Sequence, residues 1–136
     1  MNESAEDEVR ILVRGEADIV LARRSVREVG LRVGLPSPAV EALATAVTEI
    51  ARNVALYAVS GEIVIGAITR GPRRGIVDHA SDHGPGIADV GSAMQDGYST
   101  AGSLGLGLPS AKRLVDEFEI ASAVGQGTTV KLVKWA

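Results

Sequence analysis

Asp82-His83-Gly84-Pro85-Gly86, taken with Gly102-Ser103-Leu104-Gly105-Leu106-Gly107, decides how this chain reads. The first stretch ends an expected strand with one carboxylate and then breaks the backbone twice. The second repeats glycine and runs into a helix. Glycine adopts positive φ and has no Cβ, so backbone amides can come close to a ligand. Amides at a helix N-terminus are unpaired and favour an anion such as phosphate. A carboxylate is a poor neighbour for phosphate but accepts well from an exocyclic amine. Asp82 with Gly84 and Gly86 therefore suits the base end of a nucleotide, and Gly102, Gly105, Leu106 and Gly107 suit the phosphate end. Either stretch alone is as well explained by tight turns, since Gly and Pro punctuate any sequence. The pair becomes informative only with a third element upstream.

That element is a helix. Ser37 is a good N-cap and Pro38 fits the first helical position. Val40, Leu43, Val47, Ile50, Val54 and Tyr57 then recur at steps of three and four, a buried stripe. Glu49 and Asn53 are four apart and point the same way, about 100° round from Ile50 and Val54. They lie on the shoulder of the stripe, where a helix borders a cleft rather than bulk water. Glu49 is otherwise a surface carboxylate paired with Arg52 or Arg23, and Asn53 a polar residue capping a cavity.

Working outward, Val9-Arg10-Ile11-Leu12-Val13 reads as a short strand after a disordered acidic start at 1–7. Asp18 can cap a first helix whose residues Ala22, Val26, Val29 and Val33 keep helical spacing, with Gly34 placed to end it. Arg23, Arg24 and Arg27 sit off that stripe, as a solvated basic face or as a docking surface for an acidic partner. Residues 62–69 and 76–81 read as an antiparallel hairpin around the turn at 70–75. Its return strand is unusually polar at Asp78-His79. His79 and His83 make a weak metal pair, and solvated histidine is the simpler reading. Residues 87–96 predict a short helix and 97–103 a mobile lid containing Ser99, Thr100 and Ser103. Leu108, Ala111, Val115 and Phe118 predict a third amphipathic helix. Residues 119–124 and 128–135 close the chain as a hairpin about Gly125-Gln126-Gly127, with Trp135 packing at the sheet edge. Helices and antiparallel strands segregated in this way predict a two-layer α+β sandwich, with the cleft between the sheet and the second helix.

A chain of 136 residues is read as one domain, 1–136, with room for a core. Its 46% hydrophobic and 23% charged residues are ordinary for a soluble globule. A net charge of −3 argues against a nucleic-acid binder. The acidic start is no signal peptide, and no apolar run suits a bilayer span, so a cytoplasmic location without membrane contact is expected. The absence of cysteine excludes disulfides, thiolate metal sites and cysteine nucleophiles.

Commoner nucleotide loops fail. Gly102 and Gly107 have Walker spacing, but Leu108-Pro109 follow where Lys is needed. The dinucleotide fingerprint and the His-Arg-Asp and Asp-Phe-Gly kinase signatures are absent. What remains is an ordered set: Glu49-Ile50-Ala51-Arg52-Asn53 on a helix, Asp82-x-Gly-x-Gly86 ending a strand, Gly102-x-x-Gly105-x-Gly107 opening a helix, and Gly125-x-Gly127-Thr128 in a turn. In that order the chain resembles the GHKL family of gyrase B, chaperone ATPases, sensor histidine kinases and MutL. Asp96-Gly97-Tyr98-Ser99-Thr100-Ala101-Gly102-Ser103-Leu104-Gly105, the run Lys112 to Phe118 and the closing Lys134-Trp135 are similar to its RsbT-like branch of serine/threonine switching kinases.

The resemblance implies a mixed, antiparallel-rich sheet of the Bergerat type with helices on one face, and a site for ATP and Mg²⁺. It implies Glu49 as general base, Asn53 as the Mg²⁺ ligand, and Asp82 as the adenine contact, supported by Gly86 and Thr128. It implies a STAS-domain antagonist as phosphorylation substrate and a PP2C-type phosphatase as the activated partner, in bacterial stress and sigma-factor regulation. An anti-sigma factor that sequesters a sigma factor and a non-catalytic ATP-gated adaptor stay open beside it. Asp78-His79 departs from the family's more apolar strand and puts the packing of that strand in question.

Overall fold

The two long helices form where apolar residues recur every three or four places. In the computed structural model, which describes residues 3–58, 61–84, 86 and 107–136 (backbone only for 3–7 and 57), α1 spans Glu16–Val33 and α2 spans Ser37–Tyr57. Ala22, Val26, Val29 and Val33 are buried, and Gly34 closes α1 at φ 81°. Asp18 is not the N-cap. The cap is Gly15, and Asp18 reaches back from the first turn to accept the N–H of Arg14 at 2.9 Å and of Gly15 at 3.2 Å. A carboxylate there satisfies donors the helix leaves unpaired and complements its dipole. α2 begins one place earlier than its sequence suggests, with Pro36 at the cap and Ser37 inside. Pro38 is tolerated because first-turn N–H groups have no intrahelical acceptor. Val40, Leu43, Val47, Ile50 and Val54 are buried. Of the basic residues on α1, Arg27 is tied to Glu41 of α2 by two bonds of 3.0 and 3.1 Å, a surface pair of modest worth.

The strands are β1 (Glu3–Val13), β2 (Gly61–Arg70), β3 (Arg73–Asp82), β4 (Glu117–Ala123) and β5 (Gly127–Trp135), with α3 (Leu108–Leu114) between β3 and β4. They form one sheet in the order β1-β2-β3-β5-β4. The architecture is α+β as expected. Among the described residues every pairing is antiparallel, so the sheet is not mixed.

Three boundaries differ from the sequence reading, the first two because a backbone ladder is indifferent to side-chain polarity. β1 starts at Glu3, not Val9; residues expected to be disordered pair with β2, Glu3 opposite Arg70, and a bulge follows Glu6. Charged residues are normal on such an edge strand. The β2–β3 turn shrinks to Gly71-Pro72, because Thr69 pairs with Arg74 and Arg70 with Arg73. α3 ends at Leu114, and Phe118 belongs to β4 opposite Leu132, so Val115 and Phe118 do not extend the helix. The helix expected at 87–96 and the lid at 97–103 lie outside the described residues.

The helix-facing side of the sheet supplies Ile11, Val13, Ile63, Ile65, Ile76, Ala80, Val130 and Leu132 to a single core with α1 and α2. The opposite side carries a smaller cluster of Ile68, Val77, Val133 and Trp135. Trp135 therefore packs, but on an interior strand rather than at the edge. Alternation places Asp78 with Ile76 and Ala80 on the helix-facing side, opposite Ile65 and Leu132 in the neighbouring strands. It is 0% exposed, and among the described residues neither carboxylate oxygen has a hydrogen-bond partner. Burial raises its pKa to about 8. His79, its neighbour, points to the other side and is exposed. Among the described residues no helix is long and apolar enough to cross a membrane.

Candidate nucleotide site

Asp82 ends β3 opposite Gly61 of β2, and its carboxylate is half-buried. Oδ1 accepts the N–H of Gly84 at 2.8 Å and the N–H of Thr128 at 3.3 Å. One oxygen thus clamps the strand's end to its own turn and to the start of β5. Among the described residues nothing donates to Oδ2, which is left for a ligand.

Two glycines make that clamp possible. Gly86 has φ 77° and Gly127 φ 86°, and a methyl group would overlap Ala123 O at the first and Asp82 O at the second. The β4–β5 hairpin consequently lies directly on the Asp-x-Gly-x-Gly segment. Gly127→Ala is expected to cost at least about 2 kcal/mol from the left-handed backbone and the forced separation. Thermal unfolding and titration with an ATP analogue should show a lowered Tm and weakened binding together. An unchanged melting curve would mean the two segments are not in contact.

Glu49 and Asn53 sit half-buried on α2. Glu49 Oε1 faces Arg52 Nη1 at 3.3 Å, one turn on, and Oε2 faces Gly107, where a methyl group would overlap it. Gly107, at φ 81°, opens α3, which packs against α2. The C-terminal end of α2 reaches the other cluster: a Cβ at Gly84 would stand 2.9 Å from Ala58 Cβ. From Glu49 to Ala58 the helix rises about 13 Å at 1.5 Å per residue. One helix thus carries an acid beside Gly107 and an amide one turn further on, and its C-terminal end borders the Asp82 clamp.

Of the residues singled out by sequence, Asp82, Gly84, Gly86 and Thr128 come together, as do Glu49 and Gly107, with Asn53 one turn further along α2. Gly102, Gly105 and Leu106 lie outside the described residues, as do Ser99, Thr100 and Ser103. His79 and His83 are exposed, and no cluster of three metal-ligating side chains occurs among the described residues. Sequence reasoning missed Ser122. Its hydroxyl lies 2.8 Å from Thr128 Oγ1 and donates to Gly127 O at 3.1 Å, holding the turn beside Asp82. Counting back across the Gly125 turn would have found it, because Ser122 and Thr128 are register partners.

Residues 14–134 match the model of the histidine kinase-like ATPase domain. The chain belongs to the histidine kinase-like ATPase family. It is 41% identical over 129 residues to the serine/threonine-protein kinase RsbT of Bacillus subtilis (strain 168), covering 95% of this chain and 97% of the relative. It is 33% identical over 109 residues to the anti-sigma F factor of Caldanaerobacter subterraneus subsp. tengcongensis, covering 72% of this chain and 73% of that protein. The anti-sigma F factor of Anoxybacillus flavithermus is 33% identical over 97 residues, covering 66% and 65%. Membership of this ATPase family, with a kinase relative aligned over nearly both full lengths, makes the chain an ATP-using serine/threonine-protein kinase.

Proposed function

We propose that this kinase acts as a cytoplasmic partner switch in bacterial stress and sigma-factor regulation. It transfers the γ-phosphoryl group of ATP to a serine or threonine of a STAS-domain antagonist, and it binds and activates a PP2C-type phosphatase. The observation that carries the reading is that Glu49 meets Gly107 midway along α2 while the C-terminal end of the same helix borders the Asp82 clamp.

Asp82 Oδ2 accepts the adenine amino group, with Gly84, Gly86 and Thr128 shaping the pocket around it. Gly102, Gly105, Leu106 and Gly107 hold the phosphates through backbone amides. The donor set at the phosphate end is one amide and one carboxylate, Asn53 and Glu49. That set fits Mg²⁺, which keeps several waters and takes few protein oxygens besides phosphate, and Asn53 would be its ligand. When bound, the ion neutralises charge on the triphosphate. Glu49 takes the proton from the incoming hydroxyl as its oxygen bonds to the γ-phosphorus, while the bond to the β-phosphate oxygen breaks and ADP leaves. Arg52 engages Oε1 and Oε2 lies beside Gly107, which supports Oε2 as the oxygen that takes the proton.

Glu49→Gln is expected to keep ATP affinity and to slow transfer at least about tenfold, as general bases contribute about 10²–10⁴-fold. Labelled ATP with Mg²⁺ and a STAS-domain protein reads both. Unaltered turnover would place the base elsewhere. The anti-sigma F relatives favour a second reading, sequestration of a sigma factor. A stable complex with a sigma factor, with no label passing to the STAS protein, would establish it over the first.

A further inference from the structure

The basic end of the β2–β3 hairpin is remote from the nucleotide cleft. It lies at the far end of β3 from Asp82, about 23 Å along the strand at 3.3 Å per residue from Gly75. Arg70, Arg73 and Arg74 flank the Gly71-Pro72 turn, beside Trp135 of β5. The guanidinium of Arg73 lies 4.3 Å from the Trp135 ring centre and that of Arg70 4.9 Å. Glu117 accepts from Arg70 at 2.8 and 3.1 Å and from Trp135 Nε1 at 2.8 Å. The Arg70 hydrogen bonds, foremost, hold the Glu117 carboxyl below its ordinary range. Lys134 is paired with Asp116 at 3.6 Å. Arg73 and Arg74 have no carboxylate partner among the described residues, and Arg73 is held in place by its stack on the indole. Beside them opens a cavity of about 510 Å³, within the range of ligand pockets, whose apolar wall is Pro36, Pro38 and Ala39.

We propose that this hairpin end and the adjoining proline-lined cavity form a docking site for an acidic segment of a partner protein. One carboxylate of the segment meets Arg73 beside the indole, a second meets Arg74 on the other face of β3, and a neighbouring apolar side chain enters the cavity. The planar guanidinium suits bidentate carboxylate binding, and stacking on Trp135 removes much of the ordering cost that a free arginine would bear. A nucleic acid is the poorer fit. The patch contains Glu117 and Asp116, the chain is net −3, and two unpaired cations do not track a phosphate backbone.

Trp135 is the only tryptophan in the chain, so its emission reports on the site directly. The full chain is titrated with a short capped peptide of glutamate interspersed with leucine. The expected result is a saturable change in emission, weakened about tenfold by R73E/R74E and by high salt. Arg74→Glu alone, on an exposed side chain, should weaken binding in the same direction if the double variant fails to fold. ATP-analogue affinity should be equal in wild type and variants. Loss of nucleotide binding by the wild-type chain would count against the kinase reading instead. No saturable change, an equal response in the arginine variants, or better competition by a single-stranded oligonucleotide than by the peptide would overturn the proposal.

Discussion

Asp82→Asn is expected to lower ATP affinity by about a hundredfold or more while leaving the melting temperature nearly unchanged. The asymmetry follows from the two carboxylate oxygens. Oδ1 accepts from Gly84 and Thr128, and the carbonyl oxygen of asparagine can keep both bonds. The amide nitrogen then takes the place of Oδ2 and presents a donor where the adenine amino group also donates. Losing a charge-assisted hydrogen bond costs about 1.5–3 kcal/mol, which is ten- to over a hundredfold in affinity, and the donor–donor opposition adds to it. Asp82→Ala is the informative contrast. It removes Oδ1 as well, strands two backbone N–H groups, and should destabilise the β3–β5 junction along with binding. Calorimetric titration with a non-hydrolysable ATP analogue, beside thermal unfolding of both variants, reads the two effects separately. Unchanged affinity in Asp82→Asn would remove this carboxylate from the site.

Stability should fall as pH rises toward neutrality, and Asp78 is the cause. In the unfolded chain its pKa is the ordinary 3.8; burial among Ile65, Ile76, Ala80 and Leu132 raises it to about 8 in the fold. Between those values the folded state holds a proton that the unfolded state has released. Unfolding is therefore favoured increasingly with pH, by about 1.4 kcal/mol per unit, and the slope vanishes above the folded pKa. From pH 5 to 7.5 the loss is on the order of 3 kcal/mol, a large share of a typical domain's 5–15 kcal/mol. Asp78→Val fills a similar volume, suits a strand and needs no partner, so it should abolish this slope and stabilise the fold by a few kcal/mol at pH 7.5. Chemical denaturation across that pH range, for both proteins, is the measurement. Parallel pH profiles would show that Asp78 is not the titrating group.

The parts of the candidate site were legible because they are local chemistry. Glu49 and Asn53 share a shoulder of α2 because helical geometry fixes the angle between residues four apart. Asp82, Gly84 and Gly86 announce a strand end and a close backbone approach through residue type alone. α1 and α2 were equally readable, since a stripe at every third and fourth place needs no partner to be recognised, and only their first residues shifted by capping.

What tertiary structure decided was everything that depends on which strands lie side by side. Chain order puts β4 before β5, but β5 pairs with β3, so Trp135 lands on an interior strand. Asp78 lies on a strand with apolar residues on both faces, and only pairing with β2 and β5 turns it toward the helices. Ser122 meets Thr128, and Gly86 meets Ala123, through a register set by a turn. The polar start of β1 is held by backbone bonds to β2 that no side chain advertises. Periodicity and residue type act within a few residues and can be read along the chain. Strand order and facing are settled by hydrogen bonds and burial between distant segments, and these exist only once the sheet has formed.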